Sequence, residues 1–218
     1  RVAFDGGGLW VSGLGYDGRF TLHSNAVVGN HADGQGGGIY HGALYNGVWR
    51  HTTLGQNTSS DGAAVTLGPG SNPAVNWEYS VIYSQTVGVN QTGSSGGALN
   101  HTLWSGVATR TQGAALTTAD DLTGEPRLRA DGYHLALGSA AIDAAPDSTV
   151  ATDIDAEPRP QGPYRDLGAD EYRPQVALSL TKQRQGPGSV MGGTGISYTL
   201  TVANAPGGET TPDVVVDR

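Results

Sequence analysis

The chain reads as all-β, a solenoid of stacked parallel β-coils followed by a smaller domain of alternating strands, and three observations carry that reading. Helix formers are scarce: the 218 residues include one lysine (Lys182), one methionine (Met191) and five glutamates, whereas Gly, Thr, Val, Ser and Asn dominate. Glycine, at 35 residues, keeps no three-residue period and is interleaved with Val, Leu, Tyr and Trp, which excludes both collagen and simple disorder. Short motifs return at irregular intervals in the mid-twenties, the range in which one repeat cannot bury its own apolar face and must stack on its neighbours.

The first series of repeats is Gly6-Gly7-Gly8-Leu9-Trp10, Gly36-Gly37-Gly38-Ile39-Tyr40 and, more weakly, Gly62-Ala63-Ala64-Val65. Between these lies a second series, Ser24-Asn25-Ala26-Val27-Val28-Gly29-Asn30, Thr52-Thr53-Leu54-Gly55-Gln56-Asn57 and Ser80-Val81-Ile82-Tyr83-Ser84-Gln85, with a further copy at Asn100-His101-Thr102-Leu103-Trp104. In a parallel coil the Val, Ile and Leu of such copies point inward and stack on their equivalents above and below. Glycine supplies the bends. Asn25, Asn30 and Asn57 can bond the backbone of their own turns and ladder from coil to coil. Asp17-Gly18, Asp33-Gly34 and Asp61-Gly62 read as turns for the same reason. The rival arrangement is a series of antiparallel hairpins, which also use Asp-Gly; the stacked apolar repeats favour the coil.

The Gly-Gly-Gly-Leu-Trp, Gly-Gly-Gly-Ile-Tyr and Ser-Asn-Ala-Val-Val-Gly-Asn stretches resemble those of right-handed parallel β-helix proteins of the pectin-lyase-like type. A second resemblance lies further on. Gly138-Ser139-Ala140-Ala141-Ile142-Asp143-Ala144, Thr152-Asp153-Ile154-Asp155-Ala156-Glu157-Pro158-Arg159 and Asp166-Leu167-Gly168-Ala169-Asp170-Glu171-Tyr172 stand in order. Together with Glu125-Pro126-Arg127-Leu128 they are similar to the closing segment of bacterial extracellular β-helix proteins of the choice-of-anchor Q type. Ala140 and Ala156 stand where that pattern has proline and glycine. The resemblance implies that residues 1–174 are the C-terminal part of a β-helix, with a closing cap over about 120–172, on an extracellular or cell-surface bacterial protein.

An open coil end exposes backbone groups and core, so a polar cap is expected there, and Asp153, Asp155, Arg159 and Asp166 can furnish it by pairing with each other and with loop amides. The sharper reading of the same residues is a metal site. Asp153 and Asp155, one residue apart, with Asp166, Asp170 or Glu171, offer hard oxygen ligands suited to calcium, without the twelve-residue spacing of an EF-hand. The candidate metal set is therefore Asp153, Asp155, Asp166 and Glu171, with calcium as the cofactor it would take.

Beyond Pro174 the texture changes. Val176 to Lys182 and Ile196 to Val202 alternate with period two, which predicts two strands. Leu178 to Lys182, Gly195 to Asn204 and Val214 to Asp217 resemble the first half of a DUF11 type of immunoglobulin-like repeat. Residues 175–218 are accordingly expected to be a partial immunoglobulin-like β-sandwich, since a complete one has about seven strands.

Function is narrowed mainly by exclusion. A net charge of −8 and eleven arginines spread singly speak against a nucleic-acid surface. No apolar run approaches the roughly 20 residues of a membrane span, there is no signal peptide, and a chain opening at Arg1 suggests a fragment or processed piece. Without cysteine there is no disulfide or thiolate chemistry. Lyase action on uronic acids calls for a Lys or Arg base beside acidic residues holding a cation, yet residues 1–174 contain no lysine, and Arg50 and Arg110 are the only arginines on the middle coils. Asp120-Asp121 is adjacent in sequence, so on a strand the two face opposite ways. The "NTD" and "GHG" patterns of polygalacturonase-like hydrolases are absent. His31, His41 and His51 recur every ten residues, too short a step to converge on one metal, and are expected as exposed turn residues. Trp10, Tyr40, Trp49, Trp77, Tyr79, Tyr83 and Trp104 either form a stacking row for sugars or pack as core, and core is the commoner fate. No catalytic residue is assigned. The expected function is a non-catalytic, monomeric surface or adhesion module that meets extracellular polysaccharide or a cell surface; the alternative is a polysaccharide lyase or hydrolase whose site lies partly upstream.

Overall fold

The computed structural model describes residues 5–11, 19–42, 46–69, 75–93, 96–113, 116–174, 178–186, 191–193 and 195–204. The Asp17-Gly18 turn and the Val214 to Asp217 stretch lie outside them. Two compact units are present, Arg1–Tyr172 and Arg173–Arg218. No helix among the described residues is long and apolar enough to cross a membrane.

The first unit is a parallel β-solenoid. Its strands are β1 (Leu9–Val11), β2 (Arg19–Val28), β3 (Ile39–His41), β4 (Asn46–Gly55), β5 (Ala63–Leu67) and β6 (Val75–Glu78). These are followed by β7 (Val81–Gln91), β8 (Gly97–Asn100), β9 (Leu103–Gln112), β10 (Leu116–Ala119) and β11 (Leu122–Thr123). Every pairing between them is parallel, which overturns the hairpin alternative.

Three ladders result. The first stacks Leu9, Ile39, Val65, Val89 and Thr111 in register. Leu22, Trp49, Trp77, Leu99 and Thr118 stack in the second, and Val27, Leu54, Ile82, Trp104 and Thr123 in the third. Their inward side chains, among them Ile39, Trp49, Leu54, Val65, Trp77, Ile82, Leu99 and Trp104, form one buried core. The last member of each ladder is a threonine, so the terminal coil presents hydroxyls where earlier coils present hydrocarbon.

Backbone geometry explains the glycine runs. Gly36 has φ +65°, and a Cβ on Gly37 would lie 2.5 Å from the Thr58 carbonyl oxygen, so the chain approaches its neighbour too closely for any side chain. Gly6 and Gly7 repeat the arrangement one coil earlier, with φ +73° at Gly6.

A corner without a glycine separates the second ladder from the third. Ser24, His51, Tyr79, His101 and Asp120 occupy it in successive coils, all with φ from +50° to +56°. Left-handed backbone costs an L-residue about 1–2 kcal/mol. The parallel bonds on either side hold it, for example from Tyr79 N–H to the Asn100 carbonyl (3.1 Å) and from His101 N–H to the Ala119 carbonyl (3.0 Å).

At the next corner the expected amide ladder forms. Asn57 Oδ1 accepts from the Asn30 backbone N–H (3.0 Å) and from Asn30 Nδ2 (3.1 Å), while Asn57 Nδ2 donates to the Val27 carbonyl (2.8 Å). Gln85 continues the column when its amide is oriented to satisfy both ends, with Nε2 donating to the Asn57 carbonyl and Oε1 accepting from the Asn57 N–H, each at 2.8 Å. Asp61 serves its turn similarly, accepting from Gly36 N–H, Ala63 N–H, Ser59, Thr66 and Asn90. Burial alone would raise its pKa, but the bonds from Thr66, Asn90, Ser59 and Ala63 hold it below the usual carboxylate value.

The second unit contributes β12 (Leu178–Arg184) and β13 (Tyr198–Asn204), paired antiparallel from Leu178↔Asn204 to Arg184↔Tyr198. These are the two alternating strands read from the sequence. Leu180, Leu200 and Val202 on this small sheet are exposed, and Lys182 Nζ sits 4.2 Å from the Tyr198 ring centroid.

Asn57→Ala strips partners from the half-buried Asn30 N–H and Val27 carbonyl at once. The variant should lose about 1–2 kcal/mol of unfolding free energy, measured by urea denaturation, because an orphaned group costs about 1–3 kcal/mol when buried and less where water can reach it.

Candidate functional site

Residues 125–172 contain no regular strand and are organised by isolated bridges, Leu128↔Leu135, Ala145↔Arg165 and Thr152↔Pro158. The segment expected to close the coil runs along its flank. Alternation places Val81, Tyr83 and Leu103 of the third ladder outward, where they pack with Leu135, Ala141, Ala145, Leu167 and Tyr172 in a second core. Bonds to several coils fix it there: Ser24 Oγ to the Thr152 carbonyl (2.9 Å), Ala169 N–H to Thr53 Oγ1 (2.9 Å), Gly168 N–H to the Tyr79 carbonyl (2.9 Å) and Tyr83 hydroxyl to the Gly132 carbonyl (2.9 Å).

Arg159 organises the segment from within. Its side chain is fully buried, and Nη1 donates to Glu171 Oε2 (2.9 Å) and the Asp166 carbonyl (3.1 Å), while Nη2 donates to the carbonyls of Gly168 (2.9 Å) and Ala169 (2.7 Å). Glu171 also accepts from Gln161 N–H (2.8 Å) and Asp166 N–H (3.0 Å). Asp166 accepts from Asp143 N–H (2.7 Å) and Tyr172 N–H (2.5 Å). Asp153 accepts from the N–H groups of Asp155 (2.9 Å), Glu157 (2.8 Å) and Glu171 (3.1 Å). Burial dominates at Asp166 and pushes its pKa up to about 8.

Of the four sequence-derived calcium candidates, Asp153, Asp166 and Glu171 therefore gather around this network, and a calcium ion on their oxygens would compete with backbone donors. Asp155 stands apart, exposed, with Oδ2 on His134 Nε2 at 2.6 Å. There a different constellation forms that the sequence reading did not contain. His134 Nδ1 meets Asp131 Oδ2 at 2.7 Å, and a ring nitrogen of His134 lies within 4.8 Å of carboxylate oxygens of both Asp155 and Asp170. Asp170 is buried and accepts from Leu135 N–H (2.7 Å). Burial raises its pKa to about 6. Burial works against a charged His134, but the flanking Asp131 and Asp155 raise its pKa above the ordinary imidazole value. No spacing rule would have found this group, because its members come from three unrelated loops.

On the coil, His23, Arg50 and Glu78 are register partners of the second ladder. Arg50 Nε donates to Glu78 Oε2 at 2.5 Å. His23, Ser24 and Arg50 face residues 149–154 of the flanking segment across a cleft of about 470 Å³. Arg110 lies 3.9 Å from Asp121 and over the Trp104 ring. The adjacent aspartates do part company, Asp120 being an exposed corner residue while Asp121 is half-buried and has its pKa raised by burial.

The three evenly spaced histidines do not converge. His31 is an exposed turn residue bonded to Thr58 and Asp33, as expected. His41 and His51 are buried instead, which corrects the expectation for both. His41 ends β3 facing inward, against Phe20 and edge-on to Trp49. His51 is a left-handed corner residue stacked on Tyr79, and it meets Ser148 Oγ through Nε2 at 2.5 Å. Trp49, Trp77 and Trp104 are core, with the first two packed edge-to-face at 4.4 Å, whereas Trp10 is exposed.

Removing Arg159 leaves Glu171 buried without its cation and takes a donor from each of the carbonyls of Asp166, Gly168 and Ala169. Arg159→Met should destabilise the first unit by about 3–5 kcal/mol in chemical denaturation, the usual scale for one partner lost from a buried pair.

Burial, with the Arg159 charge second, lowers the His51 pKa from 6.5 to about 3. The unfolded chain therefore takes up this proton first, and the contribution of His51 is complete above pH 6.5 and is lost as pH falls toward 3. His51→Asn, which tolerates the left-handed corner and cannot titrate, should remove roughly 5 kcal/mol of acid-dependent destabilisation across that window. The difference between the two unfolding curves against pH checks it, because the opposite trend from raised Asp166 and Asp170 is common to both proteins. Compared with protein-family models, with curated proteins and with solved structures, the chain matches none, so the geometry of these residues is what a functional reading rests on.

Proposed function

We propose that the chain is a non-catalytic module of a bacterial cell surface, holding neutral polysaccharide in the cleft between the second ladder and the flanking segment. The observation that carries this reading is the Arg50–Glu78 pair beside that cleft. An arginine held by a carboxylate at 2.5 Å is a hydrogen-bonding element rather than a base, and the pair is electrically neutral. Arg110, the other arginine that lyase chemistry would call upon, likewise has Asp121 beside it. His23, Ser24, Thr149 and Thr152, which line the cleft, add polar side chains suited to hydroxyl groups. A net charge of −8 disfavours polyanions and so points to neutral rather than uronic chains.

We further infer that the coil is of the pectin-lyase-like type, with a closing segment of the choice-of-anchor Q type and a DUF11 immunoglobulin-like repeat after it. This reading is supported by the roles of the residues that carry the resemblance, since Asp153, Arg159, Asp166 and Glu171 build the flanking segment's buried network. Residues with that duty serve architecture, which suits a scaffold displayed outside the cell.

Binding of the purified chain to neutral and acidic polysaccharides, with and without calcium, tests the proposal when unsaturated products are recorded in parallel. Arg50→Ala should weaken neutral-glycan binding about tenfold, the scale of one charge-assisted contact. Steady release of unsaturated product that vanishes in the same variant would show a lyase instead.

A further inference from the structure

We propose that His134, Asp155 and Asp170 form a binding site for a divalent transition-metal ion of the zinc class, with Asp131 orienting the histidine. The ligand atoms already lie within 4.8 Å of one another, although the residues come from three loops of the flanking segment. Asp131 Oδ2 on Nδ1 at 2.7 Å reproduces the carboxylate–histidine arrangement that fixes the tautomer of a metal-bound imidazole and directs Nε2 at the ion.

Asp170 supplies the independent argument. It is 7% exposed, and the Leu135 N–H is its hydrogen-bond donor among the described residues. A buried carboxylate with one donor keeps lone pairs free for an ion, beside the His134 ring that already supplies neighbouring positive charge. Asp155 is the adjustable member: its side chain is half exposed, so widening its 2.6 Å contact with Nε2 to the roughly 3 Å between ligands of one ion is a small movement. Binding exchanges one proton for the ion, the proton now shared between Nε2 and Asp155 leaving to solvent. A ring nitrogen in the set selects zinc, cobalt or nickel over calcium, which takes oxygen ligands, and water completes the coordination on the exposed side.

Of the calcium ligands considered from the sequence this site takes up Asp155 and Asp170, and it is independent of the polysaccharide reading. Its function is to join the loops around 131–135, 153–157 and 166–172.

Calorimetry of the whole metal-free chain with zinc should show one ion bound per chain, and cobalt should give a visible ligand-field spectrum. The unfolding temperature should rise by several degrees with ion at about 100-fold over Kd. His134→Gln should weaken zinc at least about 100-fold and Asp131→Asn about 10- to 100-fold. His31→Gln, at the exposed histidine elsewhere on the coil, should leave binding unchanged. Should His134→Gln fold poorly, Asp155→Asn on an exposed side chain serves in its place, with binding about tenfold weaker or worse expected. Absence of saturable zinc binding by the parent chain, undiminished affinity in the His134 and Asp155 variants, or loss in His31→Gln would each overturn the assignment.

Discussion

In-register stacking of the third ladder is the constraint on which the rest of this molecule depends. Leu54, Ile82 and Trp104 face inward from it and close the core, while the residues beside them, Val81, Tyr83 and Leu103, face outward and carry the flanking segment. Because side chains alternate along a strand, a slip of one residue in this ladder would exchange the two sets and abolish both cores together. The left-handed corner before the ladder and the amide column after it act as the pins that exclude such a slip. Neither is expendable, since the corner aims the strand and the column ties each coil to the next.

What could be read beforehand followed from period and chemistry. The glycine runs announced bends, and Asn30 and Asn57 announced a corner ladder, because a short amide at a repeating position has few other uses. Gln85 escaped because its type differs, although its position one coil beyond Asn57 was visible. His41 and His51 were misjudged because the ten-residue spacing hid a longer one. His51, Tyr79 and His101 occupy one corner in successive coils, and only that alignment explains why they stack.

Charged residues of the flanking segment divide along a similar line. Asp153, Arg159, Asp166 and Glu171 were recognisable as polar specialists from their spacing, but their partners are mostly backbone N–H and carbonyl groups, which carry no sequence signal. The His134 group was illegible for a further reason: its members come from loops without periodicity, and only the folded segment sets Asp170 next to a histidine 36 positions away. Local pattern therefore accounts for the coil far better than for the chemistry on its flank.

The flanking segment also has a mechanical meaning. A parallel coil pulled along its axis can unwind one rung after another, each opening a few bonds in turn. A strap fastened at Ser24, Thr53, Tyr79 and Tyr83 ties successive rungs to a common brace, so tension is shared among anchors spaced along the stack. Bonds loaded together must fail together, and the brace converts unwinding from a zipper into a shear.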